Sequence, residues 1–324
     1  MVLLLGGDFR QVLPVKARGR PSEIIEICLK SSPLWNNIKK FSMTQNMRAQ
    51  PEEKEFCKWL LQVGNGEATP KMEMPFKGSI EIPSCCLLNS NSSIIHKMYD
   101  GIVEEEFVNR IILTPTNEDS LKINKDILQL LPGVSKIYVS ADSIITDDEE
   151  ERNNYPMEFI NKLTPSGMPP HLLELKLGAI VMLLRNLDLK EGLCNGTRLR
   201  VITMTHSILQ CEILTGIAEG KTVLISRIDI DPSDSSGMPF KLRRRQFPLR
   251  LSYAMTINKA QGQTFNKVGI LLNKPCFSHG QLYVALSRAR AFGDIIVKIE
   301  KTPKQGMDKG LWYTTNVVFK QVLN

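Results

Sequence analysis

Three short segments of this 324-residue chain gather side chains that could do phosphate chemistry. Near the start, Gly6-Gly7-Asp8-Phe9-Arg10-Gln11-Val12-Leu13-Pro14-Val15 sets two glycines, an acid, a base and an amide behind the apolar run 2–5. Glycines let a backbone come close to a ligand, and a Gln there can orient a water or hydrogen-bond a terminal phosphate. Gly-Gly-Asp by itself would equally mark a plain strand-ending turn. Farther on, Thr256, Asn258, Lys259 and Gln263 collect hydroxyl, amide and ammonium groups, which hold phosphates and sugars without reading bases. The third segment, residues 281–288, ends in Arg288. A guanidinium there can grip a phosphate in two places as charge builds in phosphoryl transfer, although an isolated Arg at a helix end is often just solvated.

Other patterns imitate chemistry without supporting it. Gly220-Lys221-Thr222 is the one Gly-Lys-Ser/Thr in the chain, but a phosphate-binding loop needs Gly at 215, where Thr215 stands. It also lies between two strand-like segments, whereas such a loop opens a helix. No G-x-G-x-x-G follows 2–5, which argues against a dinucleotide-dependent oxidoreductase. Seven cysteines without a C-x-x-C and four histidines without ligand spacing suggest neither a disulfide framework nor a structural metal, and a reducing compartment.

The elements that must position these groups alternate along the chain. Residues 2–5 read as a short buried parallel strand leading into a functional loop. Residues 51–62 read as an amphipathic helix, with Pro51 at its start, acids in the first turn, and Phe56, Trp59 and Leu60 at helical spacing. A strand at 110–113 runs into Thr114-Pro115-Thr116-Asn117, and a helix at 118–131 stops at Pro132-Gly133. From about 172 the texture changes to short strands at 179–184, 199–202, 210–214 and 222–226, which suggests a small β-barrel. Alternation returns after 247, with a strand at 268–272, a helix at 279–289 whose Leu282, Ala285, Leu286 and Ala289 share a face, and a strand at 295–299. An α/β domain interrupted by a β insertion accounts for this order.

Hydrophobic residues make up 42% of the chain, enough for a substantial core, and the longest apolar run, 179–184, is far short of a membrane span. Met1-Val2-Leu3-Leu4-Leu5 has no basic region ahead of it, so a signal peptide is not expected. The net charge is +7, yet ten basic residues and no acid lie between Ser235 and Gly293, leaving −3 elsewhere. Such a segment attracts polyphosphate, as nucleic acid or nucleotide, unless it is merely a solvated basic face. Within it, Lys241-Leu242-Arg243-Arg244-Arg245 is a weak import signal and reads more simply as a DNA-facing or solvated strand. The acid run 147–151 reads as a mobile surface loop.

The decapeptide 6–15 closely resembles motif III of the Pif1-like DNA helicases of superfamily 1B, and the rest of the chain follows that family in order. Asn46-Met47-Arg48 resembles motif IV, 113–117 the first strand and loop of the second motor domain, and 175–197 the start of the SH3-like insertion. Residues 254–264 resemble motif V and 281–288 motif VI. Asn258 stands where many members carry His, and Ala260 where Ser is usual. Ile144-Ile145-Thr146-Asp147-Asp148-Glu149 mimics a metal-binding strand but follows motif IV, where that element should precede motif III.

The resemblance implies an α/β fold: a remnant of the first RecA-like domain at 1–40, a second RecA-like domain with a parallel sheet at 41–171 and 247–324, and an SH3-like β-barrel insertion at 172–246. It implies ATP-driven 5′-to-3′ DNA unwinding, with roles in repair, recombination and telomere maintenance. Gln11, Arg48 and Arg288 would be catalytic, and with Gly7, Asp8 and Gly262 would face ATP and Mg2+. Thr114, Thr116, Asn117, Thr256, Asn258, Lys259 and Gln263 would meet single-stranded DNA or a DNA junction. A nuclear monomer is expected, with no membrane partner. The phosphate-cradling and metal-binding motifs of the family do not occur in the chain, so it reads as a carboxyl-terminal portion without ATP turnover of its own. The alternatives are a non-catalytic nucleic-acid-binding module or a relic of a Helitron-type helicase.

Overall fold

The computed structural model describes residues 3–16, 19–68, 76, 78–89, 91–146, 154–165, 167–232 and 238–323. Its contacts divide into two units, one formed by 1–101, 109–120 and 255–324, the other by 102–108 and 121–254. In the first unit, strands Arg110–Thr114, Lys267–Leu272 and Ile295–Ile299 run parallel with Lys267–Leu272 at the centre, Val268 lying opposite both Ile111 and Ile295. Strand Ala254–Thr256 lies at the edge beside Arg110–Thr114. Sheets covered on both faces need near-continuous apolar strands, and Ile111, Ile112, Leu113, Val268, Ile270 and Leu272 are all buried. Gly269 admits helix Ile94–Tyr99 closely, since a Cβ there would sit 3.2 Å from Met98. Helix Lys54–Asn65 begins later and ends later than its sequence pattern suggested, and Phe56 packs edge-on against Phe292 at 5.0 Å. An antiparallel trio, Ser79–Glu81, Leu311–Thr315 and Gly306–Asp308, belongs to the same unit.

The expected strand at 2–5 does not form in the described part of that segment. Residues 3–8 carry no strand pairing, and Leu3, Leu4 and Leu5 are 73%, 87% and 53% exposed. An apolar run becomes a strand only where a neighbour takes up its backbone N–H and C=O groups, and none does so among the described residues. The expected helix at 279–289 contracts to Gln281–Leu286, because Gly280 turns left-handed at φ +68 just ahead of it.

In the second unit, Leu249–Leu251, Ile180–Leu183, Arg198–Met204, Ile208–Ile213 and Thr222–Ser226 form one antiparallel sheet in that spatial order. Gly220-Lys221-Thr222 is the turn into its last strand, with Gly220 N–H donating to the Ile213 carbonyl, so the look-alike is indeed a hairpin element. A second antiparallel sheet holds Ile228–Ile230, Lys241–Gln246 and Ala141–Ile145 over a core of Ile144, Ile160, Phe240 and Leu242. The basic strand alternates: Lys241, Arg243 and Arg245 face out, while Leu242, Arg244 and Gln246 are buried. Arg244 is therefore not solvated but forms a two-pronged pair with the equally buried Asp142, at 2.6 and 2.8 Å. Arg243 and Arg245 pair with Asp231 and Asp229, so much of this basic run is neutralised by acids from other segments. The acid run 147–151 and Asp147 to Glu149 of the metal-strand look-alike lie outside the described residues. Among the described residues no helix is long and apolar enough to cross a membrane.

Candidate functional site

Arg48 and Arg288 meet in the first unit around one residue, Ser287. Arg48 Nη1 donates to the Ser287 carbonyl at 3.1 Å and its Nε to Thr264 Oγ1 at 2.7 Å. Arg288 Nη2 donates to Ser287 Oγ at 2.7 Å, its Nε to the Val284 carbonyl at 2.9 Å, and its Nη1 to the carbonyls of Ala260 and Gln263. Arg288 is 1% exposed, far from the solvated helix-end Arg that spacing alone would allow. Burial first, and the positive charge of Arg48 second, press its pKa down to about 10. Burial lowers Arg48 as well. Both still carry their charge at neutral pH, and among the described residues no carboxylate lies within ion-pair reach of either. A buried cation held only by neutral oxygens is stabilised strongly by an arriving anion. Arg48, half-buried, keeps three guanidinium N–H groups beyond the two engaged.

The loop 6–11 packs against the same helix. Tyr283 Oη donates to Asp8 Oδ2 at 3.1 Å, and burial, with Asp8 adding to it, pushes the phenol up to about 12. Arg10 Nε donates to Asn65 Oδ1 at 2.7 Å and its backbone N–H to Asp8 Oδ1. Gln261 Nε2 donates to Gln11 Oε1 at 3.4 Å. Gly280 makes this approach possible: a Cβ on it would lie 2.1 Å from the Arg10 carbonyl oxygen and 2.7 Å from the Gln11 carbonyl carbon. Its neighbour His279 accepts from Phe319 N–H at Nδ1, at 2.7 Å, so Nε2 carries the proton and donates to the Phe9 carbonyl at 2.8 Å. Leu13, Cys28 and Val322 close a small core beneath the loop. Gly7 and Gly262 are exposed with open space at the Cβ position, leaving bare backbone at the surface.

The remaining sequence-derived positions lie where Arg110–Thr114 and Ala254–Thr256 give way to loops. Thr114 is fully buried and donates its hydroxyl to the Thr116 carbonyl, so it shapes the loop rather than facing outward. Thr116 caps helix Asn117–Leu130, its hydroxyl donating to Asp119, whose other oxygen accepts from Asn273 at 2.8 Å. Thr256 ends its strand, and half-buried Asn258 and Lys259 lie on the turn Ile257–Ala260 that follows. The buried Asn258 Oδ1 accepts no hydrogen bond. Gln263 uses its carbonyl to hold Arg288. The structure thus brings Gln11, Arg48 and Arg288 to one corner through Gln261, Thr264 and Ser287. Tyr283, Asn65, Thr264 and His279 were not singled out in the sequence. Tyr283 was detectable as the hydroxyl beside the apolar stripe of its helix, while Asn65 and His279 carry no spacing signal.

Residues 1–74 match the family described as PIF1-like helicase, and residues 158–204 that described as DNA helicase Pif1, 2B domain. The chain is 30% identical over 293 residues to the ATP-dependent DNA helicase PIF1 of Danio rerio, and 29% over 294 residues to that of Homo sapiens. Each match covers 89% of this chain and 39% of the relative, so the chain spans about two fifths of their length. Its fold is similar to the Pif1 helicase of Candida albicans, with TM-score 0.60, 22% identity, and coverage of 98% of this chain and 66% of the other. It is also similar to Bacteroides Pif1 bound to single-stranded DNA, with TM-score 0.61, 22% identity, and coverage of 92% and 62%.

Proposed function

Since the chain belongs to the Pif1-like helicase family, we propose that it forms the arginine-bearing side of the nucleotide site of an ATP-driven 5′-to-3′ DNA helicase. The observation that carries this is the pair Arg48 and Arg288, joined at Ser287 with no carboxylate in ion-pair contact among the described residues, Asp8 acting on Arg288 from farther away. Arg48 suits a terminal phosphate, presenting its free donors, and Arg288 holds the turn 260–263 beneath it. Gln11 is assigned to the attacking water or the same phosphate, and Asp8 to anchoring the loop through Tyr283. Among the described residues no group of three or more His, Cys, Asp or Glu could hold a metal ion. No step is assigned to Mg2+. The loops bearing Thr116, Asn117, Thr256, Asn258, Lys259 and Gln263 are assigned to a DNA strand, and the five-stranded antiparallel sheet to the SH3-like insertion. A nuclear, monomeric protein acting in repair, recombination or telomere maintenance goes with this reading.

The 324 residues contain no phosphate-cradling Gly-Lys-Ser/Thr loop, so the purified chain should bind nucleotide phosphates without hydrolysing ATP. The test is ATP turnover with and without single-stranded DNA. Background rates are expected, and DNA-stimulated, Mg2+-dependent turnover that disappears in Arg288→Ala would overturn it. A second reading is a nucleic-acid-binding module without catalysis, resting on the half-buried Asn258 and Lys259 of the turn Ile257–Ala260. Strand binding without any nucleotide affinity would support that reading instead.

A further inference from the structure

Arg48 lies in a stretch that the core does not hold. Residues 39–50 form neither helix nor strand, and the apolar side chains Phe41, Met43 and Met47 are exposed. Hydrogen bonds must therefore fix the backbone that carries Arg48. Asn46 supplies two of them. Its Oδ1 accepts from Arg48 N–H at 2.9 Å and from Ala49 N–H at 3.3 Å, which bends the chain into an Asx turn. Both partners are backbone donors, so the amide oxygen must face them and Nδ2 must point away. Nδ2 donates to Cys57 Sγ at 3.6 Å, on helix Lys54–Asn65. That helix is itself anchored by the buried Phe56, Leu60 and Val63. On the other side of Arg48, Gln50 N–H donates to the Arg290 carbonyl at 3.3 Å, two residues beyond Arg288. The turn is thus tied to the helix at Asn46 and to the Arg288 segment at Gln50, and the Arg48 side chain spans from it to Thr264 and Ser287.

We propose that Asn46 is the positioning residue of Arg48, setting the backbone from which its guanidinium reaches a phosphate; this rests on the phosphate reading given above. A long side chain with several rotatable bonds presents its donors in one geometry only when its Cα is held and its own contacts are locked. Asn46 touches no phosphate. It acts through the Arg48 N–H, while Thr264 and Ser287 orient the other end of the same residue. An amide suits all three contacts. Alanine at 46 would keep none of them, and aspartate would keep both acceptors while losing the donor to Cys57.

The test follows solvent exchange of the Arg48 and Arg288 Nε–H protons by NMR on the whole chain without ligand, in the parent, Asn46→Ala and Asn46→Asp. Asn46 is exposed, so neither variant disturbs the core. Arg48 Nε–H, which donates to Thr264, should exchange about fivefold faster in Asn46→Ala, the scale set by hydrogen bonds of ordinary strength. It should keep the parent rate in Asn46→Asp. Arg288 Nε–H, bonded to the Val284 carbonyl, should not change in either variant and reports any general loosening. Tripolyphosphate affinity, read by calorimetry, should fall about fivefold in Asn46→Ala. An unchanged Arg48 exchange rate in Asn46→Ala, quickening of Arg48 and Arg288 together, or equal tripolyphosphate affinity of parent and Asn46→Ala would each overturn the proposal. If the parent binds no tripolyphosphate while the exchange pattern is as expected, the phosphate reading falls and the positioning of Arg48 by Asn46 stands.

Discussion

Replacing Gly280 by alanine should strike the candidate site at its tightest contact. Gly280 sits at φ +68, a left-handed conformation that costs an L-residue roughly 1–2 kcal/mol. The added Cβ would also lie 2.1 Å from the Arg10 carbonyl oxygen. Both clashing atoms belong to backbone, which cannot rotate away as a flexible side chain can, so overpacking adds about 1–3 kcal/mol. A combined loss of about 2–5 kcal/mol corresponds to a drop in melting temperature on the order of 10 °C for a domain of this size. The relief available is to push loop 8–11 off the helix, which separates Asp8 from Tyr283 and Gln11 from Gln261. Thermal unfolding followed by circular dichroism measures the first effect, and nucleotide affinity at a temperature where the variant is folded measures the second. Gly293→Ala is the control, because it meets open space and has no left-handed φ; it should leave stability within about 0.5 kcal/mol. If Gly280→Ala melts with the parent protein and binds as well, the packing of the two segments is wrong.

Asp142→Ala should leave Arg244 buried beside carbonyls alone and cost about 3–5 kcal/mol in urea unfolding, and a loss below about 1 kcal/mol would contradict the pairing. His279 has its pKa lowered, chiefly by burial, from its ordinary value of 6.5. Its contribution is therefore complete above 6.5 and is lost as pH falls through the depressed folded value, because the charged ring cannot accept from Phe319 N–H. The melting temperature should fall between neutral and mildly acidic pH, less steeply in His279→Gln, and identical slopes would refute the tautomer. Single-stranded DNA affinity should fall with salt, and Lys259→Ala should reduce the logarithmic slope by about 0.7, the share of one phosphate contact. An unchanged slope would remove Lys259 from the strand.

Local pattern was sufficient wherever a segment's neighbours lay on both faces. The strands at 110–113, 268–272 and 295–299 were legible as apolar runs because the sheet buries them. The helix at 118–131 was legible because Thr116 and the acids of its first turn mark its start. Residues 3–5 show the opposite case: the same apolar signal produced no strand, because strand formation depends on a pairing partner that the segment's own residues cannot specify. The net basic stretch was legible as charge but not as surface, since Asp142, Asp229 and Asp231, which neutralise three of its arginines, come from other segments. The burial of Arg288 depends on carbonyls at 260 and 263 that only the tertiary fold delivers.

The most direct measurement is a titration of the isotope-labelled chain with tripolyphosphate, following the arginine side-chain Nε–H resonances of Arg48 and Arg288 by NMR. Saturable shifts of both, the Arg288 shift weakened in Arg48→Ala, and neither seen when sulfate is added at equal ionic strength, are the expected result. Unmoved Arg48 and Arg288 signals at concentrations where other arginines respond would contradict a phosphate site at this corner.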